Sequence, residues 1–232
     1  DYTGHPYACY LNSNTSGLHL AVNILQRRYA WQDGDEINTT PVTSVSTNHA
    51  ILYENLKPVF ADVDQYLCLD PADVEKKITG KTRAVIFVGY GGRVGQLDKV
   101  LEICKQHGLH LILDAAHMSG TRVNGVTPGT WEGVDVAVYS YQAVKNLPTG
   151  DSGMICFADG ELDAECRKVS WMGINKDTYA RTSSEGTYKW NYGVDYVGYK
   201  YNGNAIMAAI ALAQLPYLDE ENVRRREIVK MY

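Results

Sequence analysis

The sequence predicts an α/β domain with a mainly parallel central sheet and flanking helices. Two observations lead there. Short apolar, β-branched runs alternate with stretches of helical periodicity, as in a sheet whose strands are joined by helices. The polar residues with chemical potential, Asp114 and Ser140, follow those runs directly. Ligands in such sheets collect at the carboxyl ends of the strands.

Leu18, Ala21, Val22 and Leu25 recur at helical spacing behind Ser13-Asn14-Thr15-Ser16, so a capped helix is expected from about Thr15. Asp35 to Ser44 reads as extended and turn-rich, and Ala50-Ile51-Leu52 as part of a short helix. Pro58 to Asp62 is a strand and Ala72 to Ile78 a helix. Ala84 to Val88 is apolar throughout, which fits a strand buried on both faces. Leu97, Val100, Leu101 and Cys104 form a helical stripe that His107-Gly108 closes as a C-cap. Leu109 to Leu113, Val134 to Val138 and Gly153 to Phe157 are the next strands. Asp177 to Tyr201 has no clear period and reads as a long functional loop. Ala205 to Leu215 is nearly all apolar, a buried helix.

The 232 residues suffice for a substantial core, and an apolar content of 45% with 21% charged residues is ordinary for a globular protein. A net charge of -5 argues against a nucleic-acid surface, and Arg224-Arg225-Arg226, the densest basic run, reads as a solvated helix face. The five cysteines form no Cys-x-x-Cys pair, so reduced thiols in a cytoplasmic protein are expected, with neither disulfide framework nor metal site. No apolar stretch reaches the roughly 20 residues that span a bilayer. The opening Asp1-Tyr2 and the closing Met231-Tyr232, inside a helical pattern, suggest a piece of a longer protein.

Chemistry concentrates in Leu113-Asp114-Ala115-Ala116-His117 and in Tyr139-Ser140-Tyr141-Gln142-Ala143-Val144-Lys145-Asn146. An Asp and a Lys at strand ends are what pyridoxal phosphate requires: the amine forms a Schiff base, and the carboxylate keeps the ring nitrogen protonated. Taken singly, Lys145 also reads as a surface charge, Asp114 as a helix cap and His117 as a core histidine. Ser13 to Gly17 at a helix start is a candidate phosphate cradle, to which Ser140 adds a hydroxyl. Gly89-Tyr90-Gly91-Gly92 does not match Gly-x-Gly-x-x-Gly, which disfavours a nicotinamide enzyme, and there is no Gly-x-Ser-x-Gly elbow.

In that order and spacing, the motifs resemble those of the DegT/DnrJ/EryC1/StrS family of pyridoxal-phosphate-dependent sugar aminotransferases, of fold type I. Asn12 to His19 is similar to its phosphate-binding segment, Asp114-Ala115-Ala116-His117 to its ring-nitrogen motif, and Ser140 to Asn146 to its Ser-Phe-x-x-x-Lys-Asn. Gly34 to Ile37 and Pro58 to Asp64 resemble further signatures. Lys200-Tyr201-Asn202 resembles a segment that one subunit of a dimer lends to its neighbour.

The resemblance implies a division into residues 1–216, the cofactor-binding large domain, and residues 217–232, the start of a helix leading to a small domain beyond this chain. It implies Lys145 as the catalytic lysine and proton shuttle, Asp114 at the pyridinium nitrogen and His117 against the ring. Thr15, Ser16 and Ser140 would hold the phosphate, with Asn202 reaching it from the partner of a homodimer. The implied reaction is transfer of an amino group from a donor such as glutamate to a nucleotide-diphospho-keto-sugar. Ser44 stands where many relatives place an aromatic that stacks on the ring, with His49 as an alternative occupant; loss of that face costs on the order of 1 kcal/mol. Rival readings are a sugar dehydratase of the same fold, in which histidine replaces the lysine, a non-catalytic cofactor-binding or regulatory relative, and a plain structural or interaction module, which would leave the Asp114–Lys145 pairing as coincidence.

Overall fold

A computed structural model describes residues 2–175 and 192–232. Seven strands form one mixed sheet in the order β1-β7-β6-β5-β4-β2-β3: β1 Tyr7–Leu11, β2 Glu36–Thr39, β3 Lys57–Phe60, β4 Thr82–Val88, β5 His110–Asp114, β6 Val136–Ser140 and β7 Gly153–Phe157. Neighbours from β6 through β5, β4 and β2 to β3 are parallel, and β7 alone runs against both β6 and β1. The mainly parallel sheet read from the sequence is therefore present, with one reversed strand. That reversal makes β6–β7 a return connection rather than a helical crossover.

Helices α1 (Asn14–Tyr29), α2 (Val45–Leu52) and α5 (Gly160–Val169) cover one face, and α3 (Pro71–Lys76) and α4 (Leu97–His107) the other. Because strand side chains alternate, β5 sends Ile112 into the first layer and Leu111 and Leu113 into the second. Asp114, two residues past Ile112, consequently falls on the face that α1 and α2 cover. The helix expected near Thr15 starts at Asn14, where the Ser13 hydroxyl accepts from the Ser16 N–H at 3.1 Å. Gly108 ends α4 in the left-handed conformation, as its C-cap position predicts.

Two readings change. Tyr7–Leu11, without a sequence assignment because its alternation is short, is an edge strand paired with β7 from Tyr7↔Phe157 to Leu11↔Gly153. The apolar segment expected to be a buried helix forms α6 (Ala205–Gln214), yet none of its residues is buried, and Ile206 and Leu212 keep 73% and 69% of their surface. Hydropathy reports that a segment seeks cover but not which chain provides it. After a short turn, α7 (Leu218–Val229) begins with Leu218 buried against the sheet. The loop read over Asp177 to Tyr201 lies outside the described residues up to residue 191. Among the described residues, no helix is long and apolar enough to cross a membrane.

The start of α1 rests on β7 with no room to spare. A Cβ on Gly153 would sit 2.6 Å from both the Asn14 nitrogen and the Ser13 carbonyl carbon, and backbone cannot rotate away as a side chain can. Gly153→Ala should therefore cost about 1–3 kcal/mol, read as a lowered midpoint in urea denaturation; an unchanged midpoint would show that the helix start is free to shift.

Candidate active site

A cavity of about 370 Å³ opens at the carboxyl ends of β4, β5 and β6, where Asp114, His117, Ser140 and Lys145 meet Thr15 and Ser44. Six of the eight residues singled out from the sequence thus line one space. Ser16 does not: its hydroxyl lies behind the wall, bonded to Asn12 and Ser13. Asn202 is also absent, bonding to Lys200 and to the Gly203 carbonyl. His49, the alternative to Ser44, packs on Tyr53 with ring centroids 6.1 Å apart and does not line the cavity.

Asp114 is 3% exposed at the end of β5. Its Oδ2 accepts from the Thr47 hydroxyl at 2.8 Å, and its Oδ1 from the Ala116 N–H at 3.2 Å and the Asn14 amide at 3.5 Å. Burial raises its pKa, and those three donors pull it back down. An ionised carboxyl offers about four acceptor sites, so one remains for a donor in the cavity. A protonated ring nitrogen is such a donor, and its charge would offset the burial. The residues present therefore fit pyridoxal phosphate. The sequence offers Asn14 only as part of the Ser13 to Gly17 phosphate cradle and gives Thr47 no role of its own. Nothing in a linear pattern says that residues from two separate helices converge on a carboxylate 67 and 100 residues away.

Lys145 sits in the return loop from β6 to β7. Pairing continues past the strands through Tyr141 N–H to the Ser152 carbonyl and Ala143 N–H to the Gly150 carbonyl, both 2.8 Å. Beneath the loop the Tyr10 hydroxyl bonds Ser152 at 2.7 Å, and Ser152 bonds Thr149 at 2.5 Å. Asn146 donates to the Ser119 carbonyl at 2.5 Å. The lysine is held at both shoulders while its side chain reaches the cavity. Burial lowers its pKa, and the charge of Asp114 partly restores it. That leaves more of the amine neutral and nucleophilic.

His117 accepts at Nδ1 from the Gly91 N–H at 3.1 Å, which puts the proton of the neutral ring on Nε2. Burial, and then the charge of Lys145, lower its pKa and favour that neutral form. Tyr90, missed by the sequence reading, lines the cavity edge-on to His117 at 5.8 Å. The N-terminus of α1 presents Ser13, Asn14 and Thr15 to the same space, and its dipole favours an anion there. Among the described residues no cluster suits a metal ion.

The raised pKa of Asp114 has a sign that can be read. The folded state keeps the proton at a pH where the unfolded chain has lost it, so the contribution of Asp114 to the stability of the cofactor-free protein is fully present below the ordinary carboxylate value of about 4. The protein loses that contribution as pH rises through the raised value. Asp114→Asn should therefore stabilise the cofactor-free protein near neutral pH, with the gain shrinking in acid. Chemical denaturation across that range measures it, and a pH-independent difference would contradict it.

The family model of the DegT/DnrJ/EryC1/StrS aminotransferases matches residues 1–232. Spore coat polysaccharide biosynthesis protein SpsC of Bacillus subtilis is 37% identical over 232 residues, covering all of this chain and 58% of that protein. The dTDP-4-dehydro-2,3,6-trideoxy-D-glucose 4-aminotransferase of Saccharopolyspora spinosa is 34% identical over 225 residues, 96% of this chain and 57% of its own length. A solved structure of Spr1654 from Streptococcus pneumoniae in its PMP form superposes with a TM-score of 0.88 at 26% identity, over 99% of this chain and 61% of that one. The chain thus spans a little under three fifths of these curated relatives, 58% and 57%. With the motifs in order, the fold type matched and the whole chain covered by the model, this protein belongs to the DegT/DnrJ/EryC1/StrS aminotransferase family.

Proposed function

We propose that the full-length protein is a pyridoxal-phosphate-dependent aminotransferase that passes an amino group from a donor such as glutamate to a nucleotide-diphospho-keto-sugar. The observation that carries this is the convergence of Asp114 and Lys145 on one cavity at the positive end of α1. The bound cofactor supplies an electron sink and a carrier for the amino group. Everything else falls to the chain. Lys145 Nζ anchors the cofactor and, once released, carries a proton to and from the reacting carbon of the substrate. Asp114 accepts from the ring nitrogen and holds its proton there. Neutral His117 flanks the ring. Thr15 and Ser140 bind the phosphate at the helix start, with Ser16 holding Ser13 and Asn12 in place behind it.

The proposal extends to the assembly. Asn202 lies outside its own cavity beside the uncovered apolar face of α6, as expected if a second copy covers that face and receives Asn202. The similarity to a dTDP-sugar aminotransferase supports the sugar-nucleotide class, and the PMP form of Spr1654 supports the cofactor. The five unpaired thiols fit a cytoplasmic protein. Lys145 disfavours the dehydratase reading, which expects histidine in its place.

Full-length protein reconstituted with pyridoxal phosphate should be yellow, lose that colour to glutamate, and retain the cofactor covalently after borohydride reduction. Lys145→Ala should still bind the cofactor but release it on denaturation after borohydride, with transamination abolished. Retained transamination in that variant, or wild-type protein that stays colourless, would refute the assignment.

A further inference from the structure

One turn beyond Thr15 in α1, outside the cavity, His19 forms the centre of a buried polar cluster that no step above uses. Its Nε2 bonds Glu54 Oε1 at 2.6 Å, and its Nδ1 bonds the Tyr201 hydroxyl at 3.1 Å. A carboxylate only accepts, so Nε2 carries the proton, and Nδ1 of the neutral ring accepts from Tyr201. Burial raises the pKa of that hydroxyl, which keeps its proton for the bond. Tyr199 donates to the same Glu54 oxygen at 3.4 Å, and its ring lies 4.7 Å from that of His19. A buried carboxylate and imidazole add little stability over apolar packing; the best-attested use of such a pair is to fix a register.

Tyr199 and Tyr201 belong to a strap, residues 199–203, that runs between the end of α5 and the end of β1. Its backbone is tied by Tyr199 N–H to the Val169 carbonyl at 2.7 Å, Tyr201 N–H to the Ser170 carbonyl at 3.0 Å and Asn12 N–H to the Tyr201 carbonyl at 2.9 Å. Those bonds do not choose a register, because every residue here offers the same N–H and C=O. The side chains do. Tyr199 and Tyr201 stack at 4.8 Å with their planes 9° apart on the side of α1, while Lys200 Nζ bonds Asn202 Oδ1 at 3.0 Å on the other. A slip of one residue would exchange the two faces. His19 and Glu54 recognise the tyrosine face by ring and hydroxyl, and so determine that Lys200 and Asn202 occupy the opposite one.

We infer that His19 and Glu54 are positioning residues that act across the assembly: by seating Tyr199 and Tyr201 they aim Asn202 of one copy at the cofactor phosphate of the next. The inference rests on the assembly reading, in which a second copy receives Asn202, and it names the groups that prepare that residue for delivery. The network touches neither its own cavity nor the reacting atoms, so its influence passes through the strap. Its loss is therefore felt at the neighbour's site and not at its own.

The test uses mixed dimers of the full-length protein, purified through two different tags, in which Lys145→Ala in one chain leaves a single intact lysine. Titration with pyridoxal phosphate, followed by the yellow absorbance formed with Lys145, then reports that one site. With His19→Gln and Lys145→Ala in the same chain, the intact lysine belongs to the wild-type copy and receives the altered strap. Its Kd for the cofactor should rise about tenfold, the loss of one hydrogen bond to a charged group. With the two substitutions in different chains, the intact lysine receives a wild-type strap, and its Kd should match that of a dimer carrying Lys145→Ala alone. Tyr201→Phe, which keeps the stacked ring and removes only the hydroxyl, should give the same asymmetry and decides the matter if the His19→Gln chain does not fold. Equal affinities in the two arrangements, or a loss that follows His19→Gln within its own copy, overturn the inference. A protein that binds the cofactor fully as a monomer overturns it together with the assembly reading, and leaves the aminotransferase reading standing. The expected asymmetry without amination of any keto sugar upholds the positioning role while the aminotransferase reading falls.

Discussion

The site depends on keeping one carboxylate out of water. Asp114 ends a strand buried on both faces, where an unpaired charge is expensive. Its donors come from three places: the first turn of α1, helix α2 and the turn that follows Asp114 itself. The two side-chain donors, Asn14 and Thr47, cannot be supplied before both helices have docked on the same face of the sheet. The apolar packing of Leu18, Ala21, Ala50 and Ile51 is therefore also what assembles the carboxylate's polar surroundings. The burial that raises its pKa makes a cationic ring nitrogen a better partner than water.

Close backbone approach is the second condition. Gly17 in α1 leaves no room for a Cβ, which would meet Val138 Cγ1 at 2.4 Å, and Gly153 brings the start of the same helix down onto β7. Together they set the helix N-terminus at the level of the strand ends, where its dipole can act on a ligand. Reversal of β7 does the rest. A parallel successor to β6 would need a long crossover, whereas the antiparallel return places Lys145 a few residues beyond Ser140, in a loop stiffened by paired backbone.

Much of this was legible in the sequence, because strands buried on both faces are continuous apolar runs and polar residues follow them abruptly. β4, β5, β6 and β7 emerge this way, and Gly153–Phe157 to the residue. Six of eight singled-out residues line the cavity. What escaped was relational. β1 is five residues at a sheet edge, too short for alternation to mark it. Asn14 and Thr47 carry no local sign that they face Asp114. The apolar α6 was legible as a helix, but its exposure depends on what lies beside it. The direction of β7 is not encoded in any run of residues, since a strand reads alike both ways.

The bond from Tyr10 to Ser152 joins residues 142 positions apart. β1 leaves the ribosome early and waits, unpaired on its edge, until β7 has been synthesised, because its ladder runs from Tyr7↔Phe157 to Leu11↔Gly153. The lysine loop, resting on that hydroxyl, is thus ordered only after nearly two thirds of this chain has been translated. Long-range closure of this kind is slow. A nascent chain holds its exposed edge open throughout, so chaperone capture during synthesis would be concentrated on the stretch that later supports the loop.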